Sequence, residues 1–112
     1  MLIETLMAAQ LFIGAVNMDA QDYNGAAAMV KMTTPIMDLG FRANSDDTYK
    51  AVNLGISVNG LFNAGVLVVD GPDGIHQRGY LSKSIGPFYA EVSRDEQDTD
   101  TSLTLGILVK LN

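Results

Sequence analysis

Two stretches of this chain alternate strictly between apolar and small or polar residues, and no other feature limits the fold as much. Val52, Leu54, Ile56 and Val58 are interleaved with Asn53, Gly55, Ser57 and Asn59, and Leu103, Leu105, Ile107, Val109 and Leu111 with Thr104, Gly106, Leu108 and Lys110. Successive side chains of a β-strand point to opposite faces, so each run places its branched residues on one face. A helix would scatter the same residues around its circumference. Two strands are therefore predicted, each with its apolar face against a core and its polar face outward.

The segments between them continue the β pattern. Asn59-Gly60 tolerates the positive φ angles of a tight reversal. Ala64 to Val69 reads as the next strand, and its continuous Val66-Leu-Val-Val69 suggests cover on both faces. Asp70-Gly71-Pro72-Asp73-Gly74 closes it. From Gly79 to Val92, one bent strand or two short ones are predicted around Gly86-Pro87, with Phe88, Ala90 and Val92 alternating against Tyr89, Glu91 and Ser93. Arg94 to Asp100 concentrates Asp95, Glu96, Asp98 and Asp100 and reads as a solvated loop.

The first half is ambiguous. Leu2, Leu6, Ala9, Ile13 and Val16 fit a helical stripe, whereas Ala9, Leu11, Ile13 and Ala15 fit alternation; the expectation is a short helix running into a strand. Three alanines in Gly25 to Met32 favour helix, while Val30 to Thr34 is β-prone and Pro35 ends it. Met37 to Phe41 reads as a short strand and Arg42 to Asp47 as a polar loop. The expected fold class is mainly β, an antiparallel sandwich or barrel-like domain spanning residues 1–112, with one short N-terminal helix.

The absence of cysteine removes disulfides, thiolate metal sites and a cysteine nucleophile. Thirteen acidic residues against seven basic ones give a net charge of −6. The bases Lys31, Arg42, Lys50, Arg78, Lys83, Arg94 and Lys110 are dispersed, so a nucleic-acid partner is not expected. Leu2 to Val16 is interrupted by Glu4 and Gln10 and falls short of the ~20 residues a spanning helix needs. It also lacks the charged start of a signal peptide. The expectation is a segment of the core, no membrane partner, and a soluble cytoplasmic location.

Candidate chemistry is sparse. His76 is the sole imidazole, and neither Ser57 nor Ser82 sits in a G-x-S-x-G elbow. The carboxylate groupings Asp46-Asp47, Asp70 with Asp73, and Asp95-Glu96 lie in turn-like sequence where water keeps both members ionised. Asp98-Thr-Asp100 lacks the spacing of a calcium loop, and the eleven glycines form no phosphate-binding signature. Met29, Met32 and Met37 read as core filler before contact surface. No catalytic, cofactor-binding or metal-ligating residue is assigned, and no enzymatic activity is expected.

What remains for a compact β domain is adhesion to other protein. Short, acidic, cysteine-free and β-rich, with strands at Val52 to Val58 and Leu103 to Leu111 and an apolar start, the chain resembles the small capsid decoration proteins of tailed bacteriophages. The resemblance is one of composition over the whole length and assigns no residue a role. It implies a homo-oligomer that binds a major capsid protein and stabilises a shell, with exposed sheet edges covered by assembly. Two alternatives stand beside it: an oligomeric ligand-binding barrel or interface-site enzyme using His76 and Asp73, and a monomeric module binding peptides along a free sheet edge.

Overall fold

The computed structural model describes residues 9–19, 24–46, 48–58, 61–71, 74–95 and 101–111. They form eight strands: β1 (Gln10–Asp19), β2 (Asn24–Thr33), β3 (Met37–Ala43), β4 (Lys50–Val58), β5 (Phe62–Gly71), β6 (Gly74–Ile85), β7 (Phe88–Asp95) and β8 (Thr101–Lys110). Each pairs antiparallel with the next, and β8 returns to pair with β1 from Phe12↔Lys110 to Asp19↔Leu103, closing an up-and-down barrel. The mainly β, barrel-like expectation holds.

Local sequence explains the reversals. Leu61 N–H donates to the Val58 carbonyl at 2.8 Å, and the expected Asn59-Gly60 reversal lies outside the described residues. Gly71 faces Gly74 across the β5–β6 hairpin. Between β6 and β7, Gly86 has φ 61° and Pro87 follows. Glycine there supplies the positive φ of a first central turn residue, and proline fixes the second near −65°.

Several expectations need correction. Residues 10–19 are strand, as a helix running into a strand allows, and so is the alanine-rich segment after Gly25, where helix and strand signals compete. Sheet pairing on both sides outweighs weak helical propensity here, because isolated short helices gain little in water. The helical expectation for residues 1–8 lies outside the described residues. β3 extends through Arg42 and Ala43, which were placed in a loop.

The larger correction concerns which face is inside. Val52, Leu54 and Ile56 point away from the lumen and are 38%, 50% and 58% exposed, while Asn53 between them is 1% exposed. Leu103, Leu105, Ile107 and Val109 likewise face out, and Ser102 and Thr104 are buried. In the Ala64 to Val69 strand, Leu67 and Val69 line the lumen but Val66 does not, so protein covers only one face. Alternation separates two faces without saying which one encloses the lumen. An eight-stranded barrel has an interior only wide enough for side chains to fill, and here polar and paired charged side chains share it with apolar ones such as Val16, Met29, Leu67 and Val69.

Close approach of the strands demands small residues. Gly55 and Gly65 are opposite one another on β4 and β5, and a Cβ on Gly65 would collide with the Leu54 carbonyl and the Gly55 Cα. A Cβ on Gly55 would meet the Tyr80 hydroxyl at 2.5 Å. The bare backbone at Gly55 thus gives Tyr80 room to cross the lumen.

The two ends differ. At one, around the β1–β2, β3–β4, β5–β6 and β7–β8 connections, lie Asp19, Asp46, Asp70 and Asp95, with Lys50, Arg78 and Arg94. At the other, around the β2–β3, β4–β5 and β6–β7 turns, lie Lys31, Lys83 and Lys110, with Asp38 as the one acid among the described residues.

Candidate functional site: a charged lumen inside an apolar belt

The inward positions of β3, β4 and β7 carry Arg42, Asn53 and Glu91, each flanked by outward apolar neighbours such as Phe41, Val52 and Val92. Arg42 and Glu91 are fully buried and meet as a two-pronged pair, Nη1 to Oε2 at 2.9 Å and Nη2 to Oε1 at 2.7 Å. The planar guanidinium matches the carboxylate in this geometry, which fixes orientation as well as charge. Asn53 completes the arrangement, accepting from Arg42 Nη2 at 2.8 Å and donating to Glu91 Oε1 at 3.1 Å. The Tyr89 hydroxyl donates to the same Glu91 oxygen at 2.7 Å.

A second cluster sits toward the lysine end. Lys31 Nζ lies 2.6 Å from Asp38 Oδ1, and the Tyr80 hydroxyl donates to Asp38 Oδ2 at 2.6 Å. The Lys31 ammonium also lies 5.1 Å from the centroid of the Tyr89 ring, within cation–π range. Through Tyr89 the two clusters are joined.

A third occupies the acidic end. Arg78 Nε donates to Ser93 Oγ at 3.0 Å, and its Nη2 donates to the Ser93 carbonyl at 3.2 Å and to Ser102 Oγ. Asp95 is 3.9 Å from Arg78 Nη1 and 3.8 Å from His76 Nε2. Val16, Met18, Ala27, Met29, Leu67 and Val69 fill the rest of the lumen with apolar contacts.

Buried charges persist only when paired and hydrogen-bonded, because each ion costs several kcal/mol to desolvate. Here the partners of each ion pair come from different strands, neighbours for Lys31–Asp38 (β2 and β3) and Arg78–Asp95 (β6 and β7) and opposite walls of the barrel for the third pair. Arg42 on β3 and Glu91 on β7 are the main cross-barrel link.

The outer face has the opposite character. Among the described residues, twenty-one large apolar side chains are exposed, against eleven buried apolar residues in the core, and the exposed ones include members of all eight strands. Representative positions around the circumference are Ile13, Val30, Phe41, Leu54, Val66, Leu81, Val92 and Leu105. At half exposure these side chains present on the order of 1,500–2,000 Å² of apolar surface, several times the largest patch a typical soluble monomer leaves open. Outward charges gather at the barrel's ends: Asp19, Lys50, Asp70 and Arg94 near one, Lys83 near the other.

His76 faces into the barrel mouth beside Asp95, and Asp73 lies outside the described residues. Asp95 engages Arg78 and His76; Glu96, Asp98 and Asp100, weighed as cation ligands, lie outside the described residues. Among the described residues, no three His, Asp or Glu side chains converge as a metal site. Met29 is buried in the lumen, whereas Met32 and Met37 are part-exposed.

The functional residues missed by sequence reading are Lys31, Asp38, Arg42, Arg78 and Glu91. For four of them a signal existed, a charge between apolar neighbours, as in Phe41-Arg42, Val30-Lys31-Met32 and Ala90-Glu91-Val92, whereas Arg78 lies between Gln77 and Gly79. Closure also removes the sheet edges on which the peptide-binding alternative and the edge-covering case for oligomers relied. No helix among the described residues is long and apolar enough to cross a membrane, a criterion that does not bear on strands. The chain matches no family model, no curated protein and no solved structure.

Proposed function

We propose that this chain is a membrane-spanning β-barrel, stapled shut by its own luminal ion pairs, that serves as a membrane-embedded structural element and neither an open channel nor an enzyme. One observation carries this reading: the apolar belt encircles all eight strands while the charges are held inside. A bilayer covers a cylinder on every side, whereas a protein partner covers a sector. Lipid-facing and lumen-facing residues alternate in membrane barrels for this reason. The strands run from seven to twelve residues; a ten-residue strand, rising ~3.3 Å per residue and tilted by about 45°, spans roughly 23 Å, close to the ~25 Å apolar band of such barrels. Moving the belt from water into hydrocarbon would contribute on the order of 40 kcal/mol at ~25 cal/mol per Å². No such gain is available to a barrel left in water.

Two features depart from the commonest pattern. The sequence contains no Trp, and Tyr49, Tyr80 and Tyr89 are buried, so interfacial anchoring falls to Phe62 and Phe88 with Lys83 at one end and to Lys50 and Arg94 at the other.

The shell-subunit reading draws on the same belt, since apolar surface also seats on protein. Flotation separates the two. Protein refolded with phosphatidylcholine vesicles is expected to float with them, to resist extraction by high salt and alkaline carbonate, and to be released by detergent. A stable, detergent-free soluble ring that leaves vesicles untouched would overturn the membrane reading and return the shell hypothesis to first place.

A further inference from the structure

The outward side chains of β5, β6 and β7 do not fill the belt evenly. Ala64, Leu81 and Val92 stand in register as one row across these strands, and the rows on either side of it each contain a small residue. Toward the lysine end Ala90 lies opposite Lys83; toward the acidic end Gly79 lies between Val66 and Arg94. A hollow sits over each, one of about 350 Å³ bordered by Phe62, Lys83 and Ala90, the other of about 400 Å³ bordered by Ala64, Gly79 and Arg94. Leu81 and Val92 border both, so the two form one groove on the outer wall. A Cβ built on Gly79 meets nothing within 4 Å, an independent sign of open space there. From Lys83 to Gly79 the groove runs ~13 Å at ~3.3 Å per residue.

The charge at its lysine end is uncompensated. Lys83 is exposed and forms no ion pair with a described residue. Glu91, the acid that borders the groove, is 1% exposed, and both its carboxylate oxygens are bound to Arg42 on the lumen side. Asp38, the other acid of that end, is buried against Lys31. Arg94, by contrast, closes the far end on the rim that also carries Asp70 and Asp95.

We infer that this groove seats one acyl chain of an anionic phospholipid whose phosphate rests at Lys83, an inference that depends on the membrane-spanning reading. A leaflet supplies about half of the ~30 Å hydrocarbon core, so a chain descending from Lys83 is long enough to fill the groove. The lysine stem lies along apolar surface while its ammonium reaches headgroup level. A zwitterionic lipid offers the same chain, but its choline offsets its phosphate, so the charge at Lys83 selects headgroups that are net negative. A second copy fits the groove less well. Seated there about a two-fold axis parallel to the barrel, it would set Lys83 against its own counterpart.

Fluorescence quenching in mixed bilayers tests the site. Ile85→Trp places the chain's single tryptophan at the lysine end of the groove, and Val30→Trp places one on β2, four strands away. Each variant is reconstituted into dioleoyl phosphatidylcholine mixed with dioleoyl phosphatidylglycerol, with one or the other lipid brominated along its acyl chains. At position 85 the phosphatidylglycerol is expected to outcompete phosphatidylcholine about fivefold, the preference one lysine beside an anionic headgroup confers. At position 30 the two should quench in proportion to their amounts. Lys83→Gln removes the charge, and Ala90→Leu fills the hollow while keeping it; each is expected to bring the ratio at position 85 close to one. Equal quenching by both lipids at position 85 overturns the site and leaves the membrane barrel standing. So does a preference that survives Ala90→Leu, which would be a matter of charge without a seat. Quenching at position 30 with none at position 85 would mean that a second copy covers the groove, and would overturn the site as well. No quenching at either position would overturn the membrane reading, and the site with it.

Discussion

Glu91 accepts hydrogen bonds from Arg42, Asn53 and Tyr89, and its removal would strand a fully buried guanidinium. Glu91→Ala is therefore expected to lower unfolding free energy by about 3–5 kcal/mol, as breaking a buried pair on one side does. The double variant Arg42→Met/Glu91→Leu removes both charges and is expected to recover most of that loss, because it leaves no ion unpaired. Urea titration of the refolded barrel, comparing midpoints at constant slope, checks both. Glycine sites give a second contrast at this scale. A Cβ on Gly65 has no room, whereas one on Gly79 meets nothing within 4 Å. Gly65→Val should cost at least about 1–3 kcal/mol by overpacking, and Gly79→Ala should be close to neutral. The same urea titration reads the difference, and equal effects would mean that strand approach at Gly55 and Gly65 is not as close as described.

At the level of strands, much was legible in the alternation itself. Val52 to Val58 and Leu103 to Lys110 lie in strands that alternate as expected, and Gly86-Pro87 is a turn. The facing was not legible, because a period of two is unchanged when inside and outside are exchanged. What identifies the lumen is the placement of Lys31, Arg42, Arg78 and Glu91 inside strands at the small-residue parity, and their pairing becomes visible only once closure brings β3 opposite β7. The alanine-rich β2 was obscured for another reason: alanine suits a helix, and only two flanking partners, β1 and β3, hold it extended. The element-scale prediction follows from facing. Leu105, near the middle of the outward row of β8, is expected to tolerate Arg poorly in lipid, with a loss of about 2–4 kcal/mol. In a barrel bathed in water the same Leu105→Arg change would be near neutral. Refolding yield and urea midpoints in vesicles measure it, and neutrality there would count against lipid at this face.

For the whole molecule, closure, belt and luminal network act together. Arg42, Asn53 and Glu91 are at most 1% exposed at the barrel's waist, so water has no continuous path through the described interior. Vesicles carrying the barrel are expected to retain an entrapped small dye as well as protein-free vesicles do; rapid leakage would show that the staple does not close the lumen. Among the described residues the two ends differ in charge, with Asp19, Asp46, Asp70 and Asp95 partly offset by Lys50, Arg78 and Arg94 at one and Lys31, Lys83 and Lys110 against Asp38 at the other. That asymmetry favours one insertion direction where the two leaflets differ in anionic lipid, because basic residues near a negative surface gain ~1 kcal/mol each. The central claim, that the outward apolar side chains face lipid, is open to direct measurement because the chain contains no native Trp. Single tryptophans placed by Leu54→Trp in the belt and Asp46→Trp beyond it report depth through quenching by lipids brominated along the acyl chain. Strong quenching at position 54 with little at position 46 is expected, and equal, weak quenching at both would contradict the membrane-spanning barrel.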